Sequence, residues 1–418
     1  MSSDAEDRTR SQAEVTQEAT PGSTRQEGRP IQGSAWKRLT WPARRVLQTA
    51  GDRYDRMAKP ARLGVSAGMV VLAAAVPVLL PYVTADSGYW TSVATKIGIA
   101  ALLALGLNVV VGFAGLLDLG YVAFFAVGAY TFALLSGAGR YAIAISRSQP
   151  NAFKLLPTWH MYFWLLLFVA LLVALIAGVV LGTPTLRLRG DYLAIVTLGF
   201  GEIVRITATN LNSLTDGSQG VNQIPHPAIN VGSVHYNFGL NNEAYYWLLL
   251  AVIVIWIFLL RRVNDSRIGR AWAAIREDEL AAASMGIPTI QMKLLAFAMG
   301  AAVASLGGVI YASQIGFISP DSFQLFSSDF GSVIILAMVV LGGMGGIAGP
   351  IVGAALIIFL PERFRFVGDA RFLIFGGVLV LVMVLRPQGI LPSRRRAAEL
   401  EGGEVRETSV FEARQAGS

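Results

Sequence analysis

The sequence predicts an all-α, polytopic integral membrane protein, and three observations carry that prediction. Apolar stretches of spanning length recur along the chain: at 1.5 Å rise per residue, a helix needs about 20 apolar residues to cross a hydrocarbon core ~30 Å thick. Only 15% of the 418 residues are charged and 54% are hydrophobic, whereas a soluble domain carries about 25% charged residues. The mean hydropathy is +0.55. The basic residues behind the net charge of +7 sit mostly in tails and in short connectors flanking apolar segments. That is the positive-inside pattern rather than a nucleic-acid surface.

Taken in order, residues 1–35 are rich in Ser, Thr, Glu and Gln with almost nothing to bury, so they are expected to be disordered. The stretch up to 62 interleaves Trp36, Leu39, Val46 and Leu47 with Lys37, Arg38, Arg44 and Arg45. It suits either a helix lying on an anionic leaflet or a plain basic tail before a span. With so polar a start no amino-terminal signal peptide is expected, and the first apolar segment is expected to act as an uncleaved anchor.

The spanning template fits well at 63–83, 93–112, 160–182, 245–260 and 371–386. Shorter or glycine-rich candidates follow at 119–136, 192–210, 293–312, 330–343 and 348–361. The expected total is about ten crossings, within a range of about eight to ten, with broken or re-entrant glycine-rich segments among them. The membrane domain thus covers 63–390, with a cytoplasmic loop at about 261–292 and a cytoplasmic tail at 391–418. Arginines before Leu63, at Arg187 and Arg189, at Arg261, Arg262, Arg267, Arg270 and Arg276, and at 394–396 mark the cytoplasmic ends, so both termini are expected on the cytoplasmic side of the membrane. The connectors 211–244 and 316–329 contain no Lys or Arg and should face outside. Arg363, Arg365 and Arg371 break the scheme if every segment crosses. Either that loop is an exception or a nearby glycine-rich segment is re-entrant.

Chemistry on a substrate finds no support. The chain has no cysteine and three histidines, which removes disulfides, thiolate metal sites and cysteine nucleophiles. There is no GxxxxGK[ST] phosphate loop, no HExxH and no GxSxG. No catalytic residue, metal ligand or cofactor site is expected, and energy from ATP has to come from another chain.

Three apolar segments carry features of mechanical interest. In GLNVVVGFAGLLDLGYVAFFAVGAY (106–130), glycines surround Asp118 within a region too long for one span, which reads as a broken helix or helical hairpin. Asn108 and Asp118 either line a translocation path, or serve structure: Asp118 by capping the next helix, Asn108 by bonding a neighbouring one. In VVLGGMGGIAGPIVGAAL (339–356), Gly345, Gly349 and Gly353 recur at four-residue spacing, which suits close helix packing or a gating turn. In TLRLRGDYLAIVTLGFGEIVRI (185–206), Glu202 falls near mid-membrane and Arg205 stands one turn on. Glu202 and Thr197 are pathway candidates; the structural alternative is a Glu202–Arg205 ion pair with close packing at Thr197.

The run GRAWAAIREDELAAASMGI (269–287) lodges charge between two apolar stretches. Glu277, Asp278 and Glu279 suit a helix N-terminus, LAAASM favours helix, Gly286 stops it and Pro288 follows. A helix of about two turns at 279–285 is expected at the membrane surface. Its small face of Ala281, Ala282 and Ser284 either docks in a partner or belongs to a solvated connector.

The residues now on the page resemble a known family, the permease subunits of branched-chain amino acid ABC transporters of the LivM type. The resemblance rests on LGLNVVVGFAGLLDLGYVAFFAVGAYT, LRLRGDYLAIVTLGFGEIVRI, GRAWAAIREDELAAASMGI with KLLAFAMGAAVASLGGVIYA, and GGMGGIAGP. It extends over about 90–390, and RGDYLAIVTLGFGEI is its most specific part. It implies that Arg276, Glu277, Asp278, Glu279, Ala282 and Gly286 belong to the loop that contacts the ATPase, related to the EAA loop of importer permeases. Counting back from Gly286, the motif glutamate position is Leu280, and the acid stands one residue early at Glu279. The resemblance further implies a second permease subunit, two ATP-binding subunits and an extracytoplasmic binding protein that delivers Leu, Ile or Val. ATP is then bound by partner subunits. Urea, amides or other amino acids are alternative cargo, and a stand-alone secondary transporter or channel working through Asp118 and Glu202 is the rival class.

Overall fold

The computed structural model describes residues 86–136, 162–188, 190–231, 234–327 and 330–365, with isolated positions within 68–82 and 368–391. The span expected at 63–83 is described at about half of its positions, and the span expected at 371–386, both tails and Arg371 lie wholly or largely outside the described residues. Within them the chain is helical apart from short strands and connectors: α1 (Ser87–Asn108), α2 (Val122–Leu135), α3 (Tyr162–Thr185), α4 (Asp191–Asn210), α5 (Asn242–Asn264), α6 (Arg267–Glu277), α7 (Glu279–Ser284), α8 (Thr289–Ile315), α9 (Ser332–Gly342) and α10 (Ala348–Arg363). A π-helical stretch, Val109–Phe113, prolongs α1.

Five of these helices are long and apolar enough to cross a membrane: α1 with its extension, α3, α4, α5 and α8. Shorter apolar helices are α2 and α9. The two central helices are α1 and α8, each with 72% of its spanning window buried, against 28%, 28% and 33% in α3, α4 and α5. Helix α8 packs on α1, α2 and α3, while α1 also carries α5, α9 and α10.

Small residues bring these axes together. A Cβ on Gly308 of α8 would collide with the Phe125 carbonyl oxygen of α2, and one on Gly128 of α2 would collide with the Ser305 backbone of α8. Where lipid removes the hydrophobic drive between helices, such close backbone approach supplies the packing energy. Gly349 and Gly353 play the same part between α10 and α9, since a Cβ at Gly353 would strike the Met338 carbonyl oxygen. Gly345 does not share that role: its φ of +80° puts it in the turn that joins the two helices.

At the end of the bundle where α8 stops, Val221–Asn222 pairs antiparallel with Phe317–Ile318. The segment after that strand folds back on the bundle, where Phe323 packs on Phe125 at 5.2 Å and Phe330 on Tyr311 at 5.5 Å between ring centroids. At the start of α1, the Tyr89 hydroxyl donates to Glu362 of α10 at 2.5 Å and the Arg365 guanidinium lies 5.4 Å from the Tyr89 ring centroid. Arg276 meets the opposite end of the extended α1, at Gly112. The arginines closing α10 and those of the 261–276 region therefore stand at opposite ends of one helix.

Candidate functional site

The charged run folds as two short helices set between α5 and α8. Arg261 and Arg262 fall in the last turn of α5, where cations complement the carbonyl end of the helix dipole. Ser266 caps α6 through Ile268 N at 3.1 Å. Gly269, Trp272 and Ile275 form the buried side of α6, three residues apart as a helical face requires. Trp272 is fully buried, and its indole N–H donates to the Met292 carbonyl in the first turn of α8 at 2.7 Å.

Asp278 is extended and ends α6. Its Oδ1 accepts from Leu280 N at 2.8 Å and Ala281 N at 3.0 Å, which starts α7. Gly286 adopts φ +82°, and Ile287 N returns to the Ala282 carbonyl at 3.1 Å to close the helix. The expected helix at 279–285 is present as Glu279–Ser284. Its outward side differs from the expected one. Ala282 turns inward and is buried, whereas Leu280, Ala281, Ala283, Ser284 and Met285 are exposed. Leu280 is 62% exposed and Met285 83%, so the outward surface is apolar and larger than the sequence suggested. Glu277 and Asp278 are exposed beside it.

Three side chains fasten this element to the bundle. Besides Trp272, Glu279 pairs with Lys293 of α8 at 2.6 Å, the lysine side chain being only 5% exposed. Arg276 Nη1 donates to the Gly112 carbonyl at 2.8 Å. Its aliphatic stem lies against Gly115, which at φ +73° has no room for a side chain on that side. Of these partners, Trp272 and Lys293 are not among the residues singled out from the sequence. A signal for Lys293 was present in a single ammonium at the head of a long apolar stretch.

The four pathway candidates occupy three separate environments. Asn108 is fully buried and clasps the turn between α9 and α10: its Nδ2 donates to the Gly346 carbonyl at 2.7 Å and its Oδ1 accepts from Gly345 N at 3.0 Å. Asp118 and Thr197 are buried close together. Asp118 Oδ1 accepts from Gly120 N at 2.9 Å, and Thr197 Oγ1 accepts from Leu119 N at 3.1 Å. The first N–H of α2 is satisfied instead by Ser332 Oγ, from the start of α9, at 2.9 Å. Asp118 therefore does not cap α2 as expected: its oxygen serves Gly120 N in the turn before the helix, and the helix's first N–H goes to a residue 210 positions away. Glu202 is bound to Arg205 on α4, with Arg205 Nε to Glu202 Oε1 at 2.9 Å, and Asp321 lies 3.8 Å from the same guanidinium. Among the described residues no group of His, Cys, Asp and Glu is placed to hold a metal ion.

Comparison with known proteins bears on this arrangement. The high-affinity branched-chain amino acid transport system permease protein LivM of Salmonella typhimurium is 39% identical over 359 residues, covering 81% of this chain and 77% of that protein. Its counterpart LivM in Escherichia coli K12 is 40% identical over the same shares of each chain. The LivH permease protein of the Salmonella typhimurium system is 26% identical over 308 residues, 70% of this chain and 90% of its own. No solved structure matches the chain significantly. Residues 89–385 match the family described as branched-chain amino acid transport system, permease component, so the chain belongs to that family of membrane permeases.

Proposed function

We propose that this chain is a permease subunit of an ABC importer for branched-chain amino acids, driven by separate ATPase subunits that dock on α6 and α7. One observation carries the reading: a surface element fastened to both central helices presents Leu280 and Met285 to the outside. Neighbouring exposed apolar side chains on one short helix suit a protein partner better than water. The Trp272 and Arg276 hydrogen bonds give a push on α7 two routes into the bundle, at the head of α8 and the tail of α1. A switch of that kind requires an element whose two positions both sites bias.

The substrate assignment follows the names of the relatives, LivM and LivH. An aliphatic amino acid suits a pathway lined mostly by apolar residues. The family resemblance adds a second permease, two ATP-binding subunits and an extracytoplasmic binding protein. In this reading α6 and α7 face the cytoplasm of a bacterial cell, the Val221–Asn222 strand faces outside, and the arginines closing α10 are an outer-side exception to the charge rule. At ~1.5 Å per residue, α2 and α9 reach only about 21 and 16 Å, so each crosses part of the core and is completed by non-helical chain buried in protein. The rival, an ion-driven transporter working through Asp118 and Glu202, loses Glu202 to the Arg205 pair, while Asp118 keeps one buried carboxylate oxygen without a hydrogen-bond partner.

The test is Leu280→Arg with Met285→Arg, assayed for ATP-dependent leucine uptake in vesicles holding all subunits. Uptake and co-purification of the ATPase subunits should fall about tenfold or more, equivalent to at least ~1.4 kcal/mol of docking energy. The amount of chain in the membrane should hold steady. Full uptake with the ATPases still bound would overturn the docking assignment.

A further inference from the structure

Helices α3, α4 and α5 are each largely uncovered by the rest of the chain, yet their uncovered sides are not alike. On α3 the exposed residues Leu165, Phe168, Leu172 and Ile176 suit lipid tails, and on α5 Ile255, Phe258 and Leu259 do the same. Helix α4 is the least apolar of the five spanning helices. Its outward side mixes exposed Ile195 and Ile206 with Gly199, around which a Cβ would meet nothing within 4 Å, and with the Glu202–Arg205 pair. The side chains of Glu202 and Arg205 are 42% and 25% exposed. Residues 195, 199, 202 and 206 follow the four-three-four spacing of one helical stripe.

Depth makes this stripe costly. Glu202 stands eleven residues beyond Asp191 (202 minus 191), or about 16 Å along a core of ~30 Å. A charged side chain facing lipid at that depth is unfavourable unless protein or water covers it. Pairing within the chain reduces the cost, with Asp321 also 3.8 Å from the Arg205 guanidinium, and the remaining exposure of Glu202 still needs protein or water over it. A notch at Gly199 between apolar shoulders is the shape that lets another helix backbone approach closely and bring polar partners to the pair.

We propose that the Ile195, Gly199, Glu202, Ile206 stripe of α4 is covered in the assembled transporter by a second, homologous permease chain. This rests on the permease reading given above. The choice of occupant follows from the relatives: one organism carries two permease proteins of one transport system, and this chain is similar to both. Homologous chains paired about an approximate two-fold axis bring corresponding surfaces together.

The chain has no cysteine, so single-cysteine variants report one position each. Gly199→Cys, Ile206→Cys and, on α3, Phe168→Cys would be labelled with benzophenone maleimide in the complete transporter and irradiated. The expected result is a cross-link from the two α4 positions to the second permease and none from Phe168→Cys. Capture of lipid only, of a second copy of this chain, or of the second permease from Phe168→Cys alone would overturn the proposal. Ile206→Cys keeps the test open if Gly199→Cys assembles poorly. ATP-dependent leucine uptake, measured on the same vesicles, separates the two readings. Uptake that persists while the α4 positions capture lipid sinks this interface and spares the permease assignment; a wild-type preparation that transports without any second permease sinks the assignment itself.

Discussion

Arg276 Nη1 donates to the carbonyl oxygen of Gly112 across 164 positions of sequence, at 2.8 Å, and so joins the exposed α6 and α7 element to the end of α1. A hydrogen bond from a charged donor contributes about 1.5–3 kcal/mol. This one crosses between a surface helix and a helix that is mostly buried, which makes it a direct mechanical route from the exposed element to α1. Arg276→Ala is expected to lower ATP-dependent uptake about tenfold or more, while the ATPase subunits still co-purify because the Leu280 and Met285 surface is untouched. Arg276→Lys keeps the charge and loses the planar fork, so its uptake should fall between the two. Wild-type uptake in Arg276→Ala would remove this contact from the coupling route.

The Glu279–Lys293 pair gives a prediction about stability. Removing one partner of a buried pair costs ~3–5 kcal/mol, because the other charge is left without compensation. Glu279 is 31% exposed here, so water reaches the pair and the cost belongs at the lower end. Glu279→Gln should lower the melting temperature of the purified chain in detergent. Lys293→Met added to Glu279→Gln should recover most of that loss, since the buried ammonium is gone. Equal melting of the Glu279→Gln variant and the wild type would show the pair to be solvated.

These two contacts also mark how far the sequence could be read. The helix at 279–285 was legible because its signals are local: Asp278 caps it and Gly286 ends it. Which side of it faces inward was not legible, since that is set by distant partners, Lys293 and Trp272 among them. The spans expected at 119–136, 192–210 and 293–312 match α2, α4 and α8 within a few residues, as strong apolar runs allow. The glycines of 339–356 were only partly legible. Gly349 and Gly353 pack helices as their spacing suggests, while Gly345 needs its positive φ for a turn that Asn108 holds from far away in the chain. The roles of Asn108 and Ser332 depend on contacts 210 or more positions apart, and periodicity carries no information about those.

The α9 and α10 contact gives a packing prediction. Gly353 lies so close to the Met338 carbonyl that any side chain must push the helices apart. Overpacking of a filled interior costs about 1–3 kcal/mol and often more where the obstacle is backbone. Gly353→Val should lower both melting temperature and uptake. Gly376→Val serves as the contrast, because a Cβ there would meet nothing within 4 Å, and it should leave stability within about 0.5 kcal/mol of wild type. Matched losses in the two variants would show that bulk at glycine, rather than this approach, is responsible.

Asn108 offers the sharpest test of a structural role against a place on the substrate path. It is fully buried, and its amide satisfies a donor and an acceptor in the turn after α9. Asn108→Ala takes their partners from the half-buried Gly345 N–H and Gly346 carbonyl, at about 0.5–1.5 kcal/mol for each hydrogen bond lost. Asn108→Asp keeps an acceptor for Gly345 and sets an oxygen against the Gly346 carbonyl, so it should fare no better. The turn is the part expected to loosen: amide hydrogen exchange at 343–347 should quicken several-fold in both variants, while exchange in α6 and α7 stays as in the wild type. A residue serving only the substrate would give the opposite pattern, with weaker uptake and unchanged exchange at the turn. That outcome would return Asn108 to the translocation path and leave the turn to hold itself.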